Sequence, residues 1–147
     1  MIGIDERADR AGVVDGPPST TLQQCSSFTR GYVTSGHTSL RLGRVGDDLT
    51  ADDGREAARE ATRRLLHSVR TTHGTLEGLR IARLGVFICT SSEFVDHGLV
   101  ADAASDVIRA VFGDDLGHHA RSALGMFTLP RGVAVEIEAL VEVLDGS

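Results

Sequence analysis

Apolar and polar positions alternate without a break near the C-terminus. Val133, Val135, Ile137, Ala139, Val141 and Val143 interleave with Ala134, Glu136, Glu138, Leu140 and Glu142. A period of two over eleven residues predicts a strand with one buried and one mostly polar face. Upstream the period changes. Ala58, Ala61, Leu65 and Val69 recur at helical spacing, with arginines and glutamates between them. Thr50 with Asp53 three residues on approximates a capping box, and Gly74 offers a left-handed stop, so a helix is predicted over residues 51–72. A second helix is predicted from Asp96 to Phe112, with Val100, Ala104, Val107 and Val111 on one face and Gly113 ending it. Between the two helices, the apolar run from Leu79 to Thr90 reads as a buried strand.

The remaining elements are extended. Residues 20–28 and 32–37 read as two strands joined through Thr29-Arg30-Gly31, most simply as a hairpin. Residues 120–129 read as a further strand, followed by turn chemistry at Pro130-Arg131-Gly132. The predicted order is β-β-α-β-α-β-β, an α+β domain spanning residues 20–147, with a mixed sheet and both helices on one of its faces. The uncovered face then calls for other subunits. Residues 1–19, with Pro17-Pro18, read as a mobile arm.

Composition narrows the chemistry. All 15 basic residues are arginine, and the formal net charge is −6. Without lysine, Schiff-base catalysis through a lysine amine is excluded. The acidic balance argues against a nucleic-acid partner, whose phosphates demand a basic field. No apolar run approaches the roughly 20 residues of a membrane span, and the N-terminal residues lack a signal-peptide pattern, so a cytoplasmic location is expected. Cys25 and Cys89 have no CxxC spacing, and the six histidines form no HxH or HxxxH pair, so no metal site is expected.

Ala120-Arg121-Ser122-Ala123-Leu124-Gly125, then Leu129-Pro130, then Val135-Glu136-Ile137-Glu138-Ala139 together resemble the C-terminal signature of the Rid/YjgF family. That family was formerly also called the L-PSP endoribonucleases. Thr34-Ser35-Gly36-His37 is similar to its Ser-Gly-Gln element, with His in place of Gln. The resemblance extends from Leu22 to Val143. It implies a chorismate-mutase-like fold and homotrimers with clefts between subunits. It also implies cofactor-free hydrolysis of reactive 2-imino acids to 2-keto acids and ammonia. Arg121 would bind the substrate carboxylate, and Glu136 would place the attacking water. Backbone groups near Ser35, Gly36 and Ala123, with His37 close by, would hold the rest of a small carboxylate-bearing imine or keto acid.

Two positions depart from the pattern. Leu22 falls where the family frequently has a tyrosine, and Ala123 where it often has a cysteine. Leucine can neither donate a hydrogen bond nor relay a proton, so a carboxylate-binding or regulatory protein without turnover stays open, as does an enzyme for a larger imine. A ribonuclease is the least favoured reading. Strand geometry leaves a second question open. A simple turn at Pro130-Arg131-Gly132 would put Arg121 beside Val141, on the opposite face from Glu136. Either a bulge shifts the register or the two strands are not neighbours.

Overall fold

The computed structural model describes residues 1–13, 24–28 and 30–145; Leu22 and most of the segment leading into the first strand fall outside them. The elements run α1 (Ile4–Arg10), β1 (Gln24–Phe28), β2 (Gly31–Thr38), α2 (Ala51–His73), β3 (Leu79–Cys89), α3 (His97–Leu116), β4 (Ala120–Met126), a short 3-10 turn (Pro130–Gly132) and β5 (Val135–Val143). Five strands form one sheet in the order β1-β2-β5-β3-β4. Among the described strands, only β3 and β4 pair in parallel; the other pairs are antiparallel. This is the α+β architecture expected from the hydrophobic pattern, with a mixed sheet.

Each predicted helix forms for the reason its sequence supplies. Thr50 and Asp53 complete a reciprocal capping box at the start of α2, and Gly74 closes it at φ 95°. The apolar stripe of α2, including Ala58, Ala61, Leu65 and Val69, is fully buried against the sheet. Losing a side chain such as Leu65 from this layer costs about 3 kcal/mol. α3 overruns its expected end. Gly113 leaves the helical region (φ 80°, ψ −175°), but the chain turns once more before stopping at Leu116.

The N-terminal reading needs correction over residues 4–13. They are not a mobile arm but a short helix and turn whose Ile4, Ala8 and Val13 are buried in the main core. The Asp5 carboxylate accepts from Leu76 N at 2.9 Å and from the Thr75 hydroxyl, while Glu77 accepts from the first backbone N–H groups of α1. Arg7 Nε donates to the carbonyl of Val111 at 2.7 Å, two residues before the break in α3. The sequence hides this helix because seven residues give too few turns for a periodic signal.

β5 is the middle strand. Its Val135, Ile137, Ala139 and Val141 are buried under the helices, while Glu136, Glu138, Leu140 and Glu142 line the opposite face. Two bulges adjust its neighbours, one between Thr34 and His37 in β2 and one between Ile81 and Arg83 in β3. In the first, Gly36 takes φ 75°. The extra residue turns both Thr34 and His37 toward the helices, where each is fully buried. The β1–β2 hairpin forms as expected, with Phe28 opposite Gly31.

Candidate functional site

The strand of Arg121 lies beside β3, not beside β5. β3 pairs Leu84 with Arg121 on one side and with Ala139 on the other. This answers the register question: the last two strands are not neighbours, so Pro130-Arg131-Gly132 is not a hairpin turn. Period two then places Arg121, Ala123 and Gly125 on the helix side with Leu84, Val86 and Ile88. Ser122, Leu124 and Met126 fall on the open side.

α3 covers the helix side of β4 and holds Arg121. Its Nη1 donates to Asp102 Oδ1 at 2.7 Å and to Ser105 Oγ at 3.2 Å. Ser105 Oγ also lies 2.9 Å from His119 Nε2, and His119 Nδ1 lies 2.7 Å from the Gly117 carbonyl. Burial is the main cause that lowers the His119 pKa, aided by the positive charges of Arg109 and Arg121. Among the described residues, Nε and Nη2 of Arg121 have no hydrogen-bond partner. A side-on carboxylate would use that pair of parallel donors. A Cβ built on Gly98 would come no closer than 3.9 Å to Nη2, so the first turn of α3 approaches the guanidinium without a side chain.

Glu136 sits on the open face, between Thr38 of β2 and Phe87 of β3. Burial, then the neighbouring Glu138, raises its pKa. That shift makes it a stronger base than an ordinary carboxylate. Arg121 and Glu136 are not brought together within one chain. They are two strands and three residues apart, about 14 Å by ordinary strand spacing, and on opposite faces.

The other sequence candidates are placed as follows. Ser35 is exposed and Gly36 half-buried in the β2 bulge, and Ala123 is half-buried against the core. His37 is fully buried, with neither ring nitrogen hydrogen-bonded, and burial together with the Arg64 charge lowers its pKa to about 4. It offers no surface to a cleft ligand. No group of His, Cys, Asp and Glu among the described residues is arranged to hold a metal ion. No helix among them is long and apolar enough to cross a membrane.

Two features were missed in the sequence. The first is the set Asp102, Ser105 and His119. Asp102 and Ser105 are three apart on one helix face, and His119 is two residues before Arg121, a spacing that could have flagged it. The second is a cleft of about 620 Å³ at the C-terminal ends of the parallel pair β3 and β4, lined by Arg44, Thr90, Ser92, Phe94, His97 and Phe127 among others. The Arg44 guanidinium lies 4.9 Å over the exposed Phe127 ring and donates to the Thr90 carbonyl at 2.8 Å. These loops are distant in sequence and carry no motif.

No protein-family model matches the chain. It is similar to Protein TCP17 of Trypanosoma cruzi, at 41% identity over 101 residues, which are 68% of this chain but only 63% of that relative. Among solved structures, the protein Atu1372 of Agrobacterium tumefaciens, of unknown function, is 28% identical with a TM-score of 0.82, over 95% of this chain and 92% of that one. A Shewanella oneidensis protein provisionally named an endoribonuclease superposes with a TM-score of 0.89 at 23% identity, covering 97% of this chain and all (100%) of the other. The YjgF gene product of E. coli superposes at 18% identity with a TM-score of 0.59, over 97% and 98% of the two chains. The chain has the YjgF fold. The residues that resemble the Rid/YjgF signature run through β4, the Pro130 turn and β5. Two polar residues among them, Arg121 and Glu136, flank β3 from either side.

Proposed function

We propose that this YjgF-fold protein is a cytoplasmic enamine/imine deaminase that hydrolyses 2-imino acids to 2-keto acids and ammonia. Arg121 grips the substrate carboxylate, and Glu136 activates water. The observation that carries this reading is the state of Arg121. Its Nη1 is fixed by Asp102 and Ser105, while its Nε–Nη2 edge is unengaged among the described residues. A guanidinium so held presents two parallel donors matched to a carboxylate.

The reaction balances simply. Water adds to the imine carbon, its proton passing through Glu136 to the imine nitrogen; the hydroxyl proton of the carbinolamine then moves to that nitrogen, and ammonia leaves as the C–N bond breaks and the ketone forms. A carboxylate with a raised pKa is suited to receive the water's proton. Since Arg121 and Glu136 lie on opposite faces of one sheet, the reading requires them to meet across a subunit boundary, in a homotrimer. The open face favours association: Val33, Leu124 and Leu140 are 51, 48 and 39% exposed there.

The test is to generate 2-aminoacrylate with a separate dehydratase and follow keto-acid release. The native protein should accelerate it, and Arg121→Ala should abolish the acceleration. No acceleration, or one that survives the substitution, refutes the reading.

A second reading is a carboxylate-binding regulator without turnover. Leu22, at the position of the family tyrosine, favours it, because leucine has no proton to relay. Binding of a keto acid through Arg121 with no deamination would select it. Turnover of only bulkier imines would instead select a pathway enzyme with an enlarged pocket. A ribonuclease is disfavoured by the acidic charge and the absence of lysine.

A further inference from the structure

The bonds around Arg121 determine which of its edges a ligand can use. Each Nη of a guanidinium carries two hydrogens and Nε carries one. Nη1 of Arg121 gives one hydrogen to Asp102 and the other to Ser105. The Ser105 oxygen is aimed in turn by His119. The Gly117 carbonyl can only accept, so the imidazole proton sits on Nδ1, 2.7 Å from it. Nε2 of the neutral ring is then an acceptor, and it takes the Ser105 hydroxyl hydrogen across 2.9 Å. A lone pair of Ser105 Oγ is left facing Arg121. The neutral ring belongs to this place: burial above all, with Arg109, Arg121 and His118 around it, outweighs the bond to Gly117 and disfavours the imidazolium.

We propose that Asp102, Ser105 and His119 are positioning residues that saturate Nη1 of Arg121 and so make a ligand carboxylate bind side-on, through Nε and Nη2. This rests on the reading of Arg121 as the carboxylate anchor. End-on pairing takes one hydrogen from each Nη, and Nη1 has none left to give. Side-on pairing uses the two donors that have no partner among the described residues. A side chain at position 98 would touch Nη2, with its Cβ 3.9 Å away, and Gly98 has none. The three residues touch the anchor or each other and not the ligand. Their role is to select one of two otherwise similar binding modes, and with it the direction in which the imine carbon points.

The experiment uses the full chain, isotopically labelled, with pyruvate as the probe. Affinity is measured together with the NMR signal of the Arg121 Nε–H, which moves downfield when Nε donates to a carboxylate. In the native protein the signal should move on binding. Ser105→Ala should weaken binding roughly five-fold, the scale of one hydrogen bond. It should also shrink the displacement, because a freed Nη1 hydrogen admits the end-on mode. His119→Gln, which keeps an uncharged acceptor, should behave as the native protein, and His119→Leu as Ser105→Ala. This second pair carries the comparison if Ser105→Ala fails to fold. Pyruvate binding that needs Arg121 but leaves the Nε–H signal unmoved overturns the positioning role alone. Binding and signal displacement unaltered by Ser105→Ala and His119→Leu have the same result. Absent binding, or binding indifferent to Arg121→Ala, overturns the anchor and the positioning role together.

Discussion

Arg121 and Glu136 lie on opposite faces of the sheet, with β3 running between their strands. A catalytic pair built from these two residues must therefore take one from each of two subunits. Subunit mixing tests this. Arg121→Ala and Glu136→Gln proteins, each inactive, should regain a fraction of native deaminase activity when denatured together and refolded as mixed oligomers. If both groups acted within one chain, the mixture would stay as inactive as its parents. At concentrations low enough to give monomer by sedimentation, the native protein should lose its activity.

His37 makes stability depend on pH. It titrates near 6.5 in the unfolded chain but at about 4 in the folded one, because burial and then Arg64 oppose its charge. Between these values the unfolded state binds more protons. Stability is therefore complete above about pH 6.5 and falls as the pH drops toward 4, by about 3 kcal/mol for a difference of this size. Urea unfolding at pH 7.5 and pH 4.5 should show the loss, and His37→Leu should remove most of it. An identical pH dependence in the variant would show that another group is responsible.

The contacts of α1 predict a larger effect than its length suggests. Asp5→Ala removes the acceptor of Leu76 N and of the Thr75 hydroxyl, and should cost about 2 kcal/mol. Removing residues 1–13 also uncovers the sites filled by Ile4, Ala8 and Val13. The shortened protein should unfold at markedly lower denaturant. A midpoint unchanged from that of the full chain would contradict the packing of α1 into the core.

Glycine at 125 lets α3 come down on β4. A Cβ there would lie 2.3 Å from His97 Nε2 and 2.9 Å from Thr90 Oγ1. Gly125→Ala should displace His97, deform the cleft at the strand ends and cost about 1–3 kcal/mol. Gly85→Ala serves as the contrast. Its Cβ would meet Glu138 Cγ at 2.8 Å, but that side chain is partly exposed, with a loose 3.9 Å ion pair to Arg83, and can swing away. Thermal unfolding should rank the first variant clearly below the second.

What could be read in the sequence follows from the range of each interaction. The capping box at Thr50 and the stop at Gly74 are local, and both were legible. So was the alternation of β5, whose two faces differ in solvent. Strand order was not. The neighbour of β4 is settled by α3, which carries the chain from β3 back to its parallel partner, and no residue near Pro130 records that. The site divides in the same way. Arg121 was marked by its motif, whereas Asp102 and Ser105 reach it only because α3 folds over β4. The burial of His37 was not legible, because a single-residue bulge at Gly36 sets the face it occupies, and one inserted residue leaves no periodic trace.

The position of β5 bears on how the molecule is made. It is the last strand in the sequence and the central one in the sheet, paired with β2 on one side and β3 on the other. A chain leaving the ribosome holds both halves of the sheet before the strand that joins them. Until Val135–Val143 has emerged, the β1–β2 hairpin and the β3–α3–β4 unit face a gap one strand wide. The inner edges of that gap carry unpaired backbone groups. Sheet closure must therefore follow translation of the final strand, and a ribosome stalled before residue 135 would expose two sticky edges to any neighbouring chain.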